Sequence, residues 1–370
     1  MSKIIWLNDF LCINEDDTTE TDAKKKGKIL YGGAENTISM FIKKGRELGH
    51  TIKLMCPQNF NMDEVKSADL IILSNVSCGF KLSQFDIKQI DWIVENKEFV
   101  KLEHDASFCK FRNVQCDEVC SMYKCHPYWH RKMFMKAKQV IFLSPLQLKL
   151  HLRFFWKELG SEKYITANTK EITDYEDDWS HVWQEMKNDK VHCVPPCIKK
   201  SVMIESPEAR MKGKYCVVGA IYEGKGIRDI LEQYQALGKD LRFIGAIADN
   251  RLANMITQAG HTIVPPVPYD KMASVLQKYS YMLISRRIPK TTTLPDGQVG
   301  YLEDEEHNRL FNYMNESFSR IIPEALNCGV KILVDKDSKK HIGFWSWGGS
   351  DNEMLDLCDT SDKLFWGKLE

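Results

Sequence analysis

No apolar run in the 370 residues approaches the ~18–20 needed to cross a bilayer, so no transmembrane helix is expected. Neither sign of charge is in excess, with Lys+Arg and Asp+Glu at 51 each, which excludes a global field drawing the chain to nucleic acid or an anionic membrane. The opening MSKIIWLNDFLCIN has too few apolar residues before Asn8 and Asp9 for a signal peptide and reads as a first strand. With no secretion signal expected, the twelve cysteines point to reduced thiols and a cytoplasmic protein. Low-complexity tracts are missing. No G-x-G-x-x-G follows an early strand, which argues against a dinucleotide-dependent oxidoreductase.

What is present is ordinary globular material, 43% hydrophobic and 28% charged, at a length that suits two domains. Short β-branched runs such as KIIWLN, ADLIILSN and FVKLEHD alternate with amphipathic segments, the pattern of parallel sheets with crossover helices. A polar, proline-containing stretch at 199–214 reads as a linker. After it, KYCVVGAIYEGKGIRDILEQYQAL opens a second strand–loop–helix unit. The expectation is α/β, two Rossmann-like domains, with boundaries at 1–205 and 206–370.

The most informative stretch is NESFSRIIPEALNCGVKILV, Asn315 to Val334. Pro323 suits the first turn of a helix, Gly329 suits its end, and VKILV reads as a buried parallel strand. Glu316 then falls in a loop at the mouth of a sheet and Glu324 near a helix N-terminus, where phosphate or sugar hydroxyls bind. The plainer alternative is that Glu324 favours the helix dipole and Glu316 is a solvated loop acid. Earlier, Gly32 and Gly33 precede a helix that Gly49 ends, and His104 stands at the carboxyl end of FVKLEHD.

The whole string resembles the Glu-x7-Glu signature of retaining nucleotide-sugar glycosyltransferases with the GT-B fold. The family loop reads Glu-Gly-Phe-Gly where this chain has Glu316, Ser317, Phe318 and Ser319. The Gly-Gly-Ala-Glu opening at Gly32 and Gly33 is similar to the same group, as is VVGAIYEGKG to its donor-phosphate motif. The resemblance implies two domains facing a cleft, the N-terminal one on the acceptor side, and a last helix, around LFWGKLE, that crosses back onto it. It further implies that Lys225 neutralises the diphosphate, that Glu316 and His104 meet the donor sugar, and that Glu324 accepts from the ribose hydroxyls. The implied donor is a nucleotide-diphosphate sugar, with a UDP-sugar as the first choice, and no catalytic metal is required. Ala220 stands where the family has an arginine, and the pair Arg286-Arg287 is the candidate replacement. A scaffold that keeps the fold and has lost transfer is the competing reading.

Two segments depart from the family pattern. Residues 106–130 form a Cys-rich insertion in which Cys109, Cys116, Cys120 and Cys125, beside His126 and His130, are candidate ligands of a structural zinc. Free cysteines, disulfides and an iron–sulfur cluster are the other readings of the same spacing. A His-Asp followed by such a loop is similar to glycosyltransferases encoded by phages and other viruses. About thirty polar residues between Ser285 and Glu316 form a candidate lid or acceptor contact. A basic stripe, Lys149, Arg153 and Lys157, is either a solvated helix face or a contact for a phosphate backbone. The acceptor classes left open are a modified DNA base, a polysaccharide, a lipid and a small molecule.

Overall fold

The computed structural model describes residues 1–9, 33–76, 85–105, 127–158, 190–202, 212–289, 291–293, 299–301 and 311–369. The chain divides into two compact units, Met1–Cys197 with Thr360–Glu370, and Ile198–Asp359.

Unit 1 is built on a six-stranded parallel sheet. Its strands are β1 (Lys3–Asn8), β2 (Thr51–Met55), β3 (Leu70–Ser74), β4 (Phe99–Glu103), β5 (Gln139–Phe142) and β6 (Val191–Cys193), in the order β2-β1-β3-β4-β5-β6. Covered on both faces, the strands are mostly apolar, as a doubly wound parallel sheet requires. On one face Ile5, Leu7, Ile71, Leu73 and Phe99 pack with Ile90, Ile93 and Met133 from the crossover helices. On the other, Trp6 and Phe41 stack on Phe365, at 5.6 and 4.4 Å between centroids. Phe365 belongs to the helix Ser361–Gly367, which lies against the helix Gly33–Glu47. The indole N–H of Trp366 donates to the carbonyl of Phe41 at 2.8 Å. A Cβ added at Gly45 would lie 2.1 Å from the Trp366 ring, so the two helices approach through a residue without a side chain.

Within this sheet Lys101 and Glu103, two apart on β4, share one face and are fully buried, with Lys101 Nζ 2.6 Å from Glu103 Oε2. His151 Nε2 lies 3.7 Å from the other carboxylate oxygen. Burial alone would push the Glu103 pKa up, but the charge of Lys101, joined by His151, outweighs it and holds the carboxyl far below its usual range.

Unit 2 carries a five-stranded parallel sheet of β7 (Tyr215–Val218), β8 (Leu241–Ile244), β9 (Thr262–Val264), β10 (Tyr281–Ile284) and β15 (Lys331–Val334), ordered β15-β10-β7-β8-β9. Val217, Leu241, Phe243 and Leu283 pack against Ile227, Ile230, Leu252 and Ile256 from its helices. Between β10 and β15 the described residues form two short antiparallel pairs, β11 (Arg287–Pro289) with β14 (Phe311–Tyr313) and β12 (Thr291–Thr293) with β13 (Val299–Tyr301). The segment read as a candidate lid or acceptor contact is therefore partly a ribbon. Its β-branched and aromatic residues at 291–293 and 311–313 satisfy their backbone groups by pairing.

Among the described residues no helix is long and apolar enough to cross a membrane. Cys193, Cys197, Cys216, Cys328 and Cys358 are thiols outside any disulfide, whereas Cys56 is disulfide-bonded, so uniformly reduced cysteines are not found. Burial pushes the Cys193 thiol up to about 12, which leaves it unreactive.

Candidate active site

In an open parallel sheet the crevice lies where successive connections leave in opposite directions. In unit 2 that point falls between β7 and β10, since β8 and β9 extend to one side of β7 and β10 and β15 to the other. The segments leaving these two strands should carry the chemistry, and they do carry its charges.

After β7 the chain passes Gly219 and Ala220, makes a short 3-10 turn over Glu223–Lys225, and enters the helix Ile227–Tyr234 through Gly226. Gly226 has a φ of +63°, and a Cβ there would come within 2.7 Å of the carbonyl oxygen of Ser285. Only glycine lets the turn press this closely on the end of β10. Glu223 is engaged by Arg228 at 2.8 and 3.1 Å, so the acid two residues before Lys225 is occupied elsewhere.

After β10 come Ser285, Arg286 and Arg287. Ser285 donates to Asp229 at 2.7 Å, and Arg287 pairs with the same carboxylate at 3.2 Å. Arg286 takes the other direction. Its side chain is 3% exposed, one guanidinium nitrogen donates to the carbonyl of Gly224 at 3.1 Å, and its backbone N–H is held by the Ser338 hydroxyl at 2.9 Å.

Glu316 meets these two cations from a third segment. Its backbone N–H donates to the carbonyl of His341 at 2.8 Å and its carbonyl accepts from Gly343 N–H at 2.9 Å, a parallel bridge that fixes the loop. His341 is positioned by stacking on Tyr313 and by a 2.8 Å contact between Nδ1 and Asn315 Oδ1; burial holds its pKa below the usual histidine value. Lys225 Nζ donates to Glu316 Oε1 at 2.6 Å, and the second carboxylate oxygen pairs with Arg286. Burial, followed by repulsion from Arg286, holds the Lys225 pKa well below the lysine range. Burial brings the Arg286 guanidinium down to about 10, so it remains charged at neutral pH.

Glu324 lies in the first turn of the helix Ile321–Asn327 and is buried. Arg320, also buried, donates to it at 2.7 Å and to the hydroxyl of Tyr269 at 2.6 Å. Burial pushes the Glu324 pKa up even against the charge of Arg320. Phe318 is buried edge-on to Phe344, Ser319 is buried beside it, and Ser317 is half-buried.

The remaining sequence-predicted residues lie in unit 1 or outside the described residues. Gly33 is the exposed first residue of its helix and its carbonyl accepts from Thr37 Oγ1 at 3.0 Å, while Gly32 lies outside the described residues. His104 follows β4 and is buried, with Nε2 3.0 Å from Ser74 Oγ. Asn8 donates to the carbonyl of Ser74 at 2.9 Å, and Asn75 has a φ of +56°, so the polar ends of β1, β3 and β4 converge at the switch point of the first sheet. Cys109, Cys116, Cys120 and Cys125 lie outside the described residues. Among the described ones no group of three or more His, Cys, Asp or Glu could hold a metal ion.

The structure thus brings Lys225 and Glu316 together, and sets Glu324 with partners that sequence reasoning missed. Arg320 and Tyr269 carried no signal beyond the i,i+4 spacing of Arg320 and Glu324. The roles of Ser338 and His341 depend on contacts distant in sequence.

No family model matches the chain, and no curated protein matches it in sequence. Solved structures do match its fold. An alpha-glucosyltransferase in complex with UDP-glucose and DNA containing an abasic site superposes with a TM-score of 0.54 at 11% identity, over 100% of this chain and 95% of the other. Sucrose-phosphate synthase from Thermosynechococcus elongatus gives 0.54 at 9% identity, over 100% and 94%. Anabaena HepE in complex with UDP and glucose gives 0.51 at 11%, over 100% and 96%. With its two parallel sheets and these neighbours, the chain has the GT-B fold, an α/β architecture of two Rossmann-like domains.

Proposed function

We propose that the protein is a glycosyltransferase that moves a sugar from a nucleotide-diphosphate sugar to a hydroxyl acceptor, with retention at the anomeric carbon. The observation that carries this reading is the meeting of Lys225 and Glu316 at the switch point of the second sheet, with Glu324 at the start of a nearby helix in the same unit. As the glycosidic bond breaks, negative charge grows on the diphosphate, and Lys225 is the point charge to meet it. Glu316 receives the sugar hydroxyls and Glu324 the ribose hydroxyls, each acting as an acceptor. Ser317, Phe318 and Ser319 line the donor from the same loop, Gly32 and Gly33 offer backbone N–H groups, and His104 recognises the sugar. The chemistry asks for no catalytic metal, and the cysteines at 109–125 would at most hold a structural zinc. A UDP-sugar is the favoured donor, in keeping with neighbours solved with UDP or UDP-glucose.

For the acceptor we propose a hydroxymethylated base of DNA in the cytoplasm of a cell, with the protein encoded by a phage. Neighbours solved with DNA, one of them carrying an HMU base, support this choice over a polysaccharide, a lipid or a small metabolite. The basic residues Lys149, Arg153 and Lys157 are the proposed contacts to the phosphate backbone.

The test is a thermal-shift and hydrolysis screen of the purified protein against UDP-, GDP-, ADP- and TDP-sugars, with Lys225→Ala and Glu324→Ala beside it. One donor should stabilise the wild type and slowly release its nucleoside diphosphate, and both variants should lose these effects. A folded protein that responds to no donor would favour a scaffold without transfer activity. With a donor known, duplex DNA with and without hydroxymethyl bases decides the acceptor.

A further inference from the structure

Among the described residues, two cations and one carboxylate meet at the end of β7 and β10, and the count is uneven. Glu316 gives one oxygen to Lys225, at 2.6 Å, and the other to Arg286. A single negative charge thereby serves two positive ones in a partly buried place, where unbalanced charge is costly. Asp229 does not redress the balance, because Ser285, Gln233 and Arg287 take it up. Nor does Glu223, which Arg228 holds in a two-pronged pair.

Arg286 is moreover built in rather than draped over the surface. Its guanidinium donates to Gly224, a residue of the turn that carries Lys225, and Ser338 holds its backbone. The contact of Gly226 with Ser285 locks that turn against the residue preceding Arg286. Among the described residues its buried Nε–H has no acceptor, which leaves a donor for an incoming oxygen. A planar guanidinium with a spare donor beside an ammonium is suited to an anion with several oxygens, such as a diphosphate.

We propose that Arg286 is a catalytic residue, the second cation of the donor-diphosphate site, and that Glu316 is the resident counter-ion that Lys225 and Arg286 exchange for the diphosphate when donor binds. This rests on the nucleotide-sugar reading given above. In the transfer step the donor C1–O bond breaks with its electron pair going to the diphosphate, a C1–O bond to the acceptor forms, and the acceptor's proton ends on the departing phosphate oxygen. Arg286 and Lys225 together take the charge that develops on that oxygen. Glu316, released from the two cations, is then free to accept from the sugar.

Calorimetric titration of UDP, uridine and inorganic pyrophosphate into the full-length wild type, Arg286→Gln and Arg286→Lys tests this. Arg286→Gln should weaken UDP and pyrophosphate by about 10- to 100-fold and leave uridine within about twofold, with Arg286→Lys recovering part of the loss. Its thermal midpoint should not fall, since Lys225 keeps Glu316 to itself; if it fails to fold, Arg286→Lys carries the test through the same UDP-to-uridine comparison. Arg286→Gln that binds UDP and pyrophosphate as tightly as the wild type overturns the role of Arg286 alone. Equal losses for UDP and uridine also overturn it, as the mark of a purely structural residue. A wild type that binds neither UDP nor pyrophosphate overturns the donor-site reading itself.

Discussion

Gly226 and Ser285 touch backbone to backbone, so closely that a Cβ on Gly226 would stand 2.7 Å from the Ser285 carbonyl oxygen. This contact places the turn of Lys225 beside the strand end that bears Arg286. Gly226→Ala should therefore destabilise unit 2 by about 1–2 kcal/mol from the left-handed backbone, with about 1–3 kcal/mol more from overpacking. Urea unfolding measures the first effect. Donor affinity, in protein still folded, should fall with it. An unchanged midpoint would show that the two segments are not held by this contact.

Glu316 has a second testable consequence, in pH. A cation whose folded pKa is depressed binds its proton less well in the folded state, so stability rises with pH between that value and the unfolded one, ~10.4. Lys225 is such a cation, because of burial and then Arg286. Glu316→Gln removes the nearby carboxylate and should depress it further, widening the alkaline window. Urea midpoints collected between about pH 7 and 10 should climb more in Glu316→Gln than in the wild type. Parallel curves would mean that Lys225 does not sense the carboxylate.

Arg320 and Glu324 behave in the opposite sense. Glu324 has a raised pKa because it is buried, and Arg320 limits the rise. Replacing Arg320 with Met leaves a buried carboxylate without that charge, at a cost of about 3–5 kcal/mol at neutral pH. A raised carboxyl pKa makes stability fall as pH increases from ~4.3 through the folded value, so the deficit should shrink toward pH ~4.5. Unfolding at the two pH values checks the difference.

Much of this architecture could be read from the chain. Apolar β-branched runs marked β1, β3, β4 and β15 because parallel strands are buried on both faces. Pro323 and Gly329 bracketed the helix that bears Glu324, since their backbone requirements are local. What could not be read is which cation meets which acid. Arg286 and Arg287 are neighbours with the same side chain, yet one turns to Glu316 and the other to Asp229, according to contacts 30 and 58 positions away. No period or propensity encodes that choice. The ribbon from β11 to β14 was missed for a related reason, since three-residue strands are too short to show alternation.

Lys101 and Glu103 offer a test confined to unit 1. Lys101→Met should cost about 3–5 kcal/mol at neutral pH by leaving Glu103 buried without its cation. In the wild type the depressed carboxyl supplies stability that is full above ~4.3 and is lost as pH falls below it toward the folded value. Lys101→Met should lose this acid sensitivity, and adding Glu103→Leu should restore much of the midpoint. A single substitution without effect would show that the pair is not coupled.

The helix Ser361–Gly367 gives unit 1 an unusual relation to time. Its Phe365 and Trp366 cover Trp6, Phe41 and Gly45, yet every residue of unit 2 lies between them in the chain. On a ribosome, the residues that emerge first must wait for Thr360–Glu370 before that face of their core can close. Unit 2, continuous from Ile198 to Asp359, can finish folding while unit 1 is still incomplete.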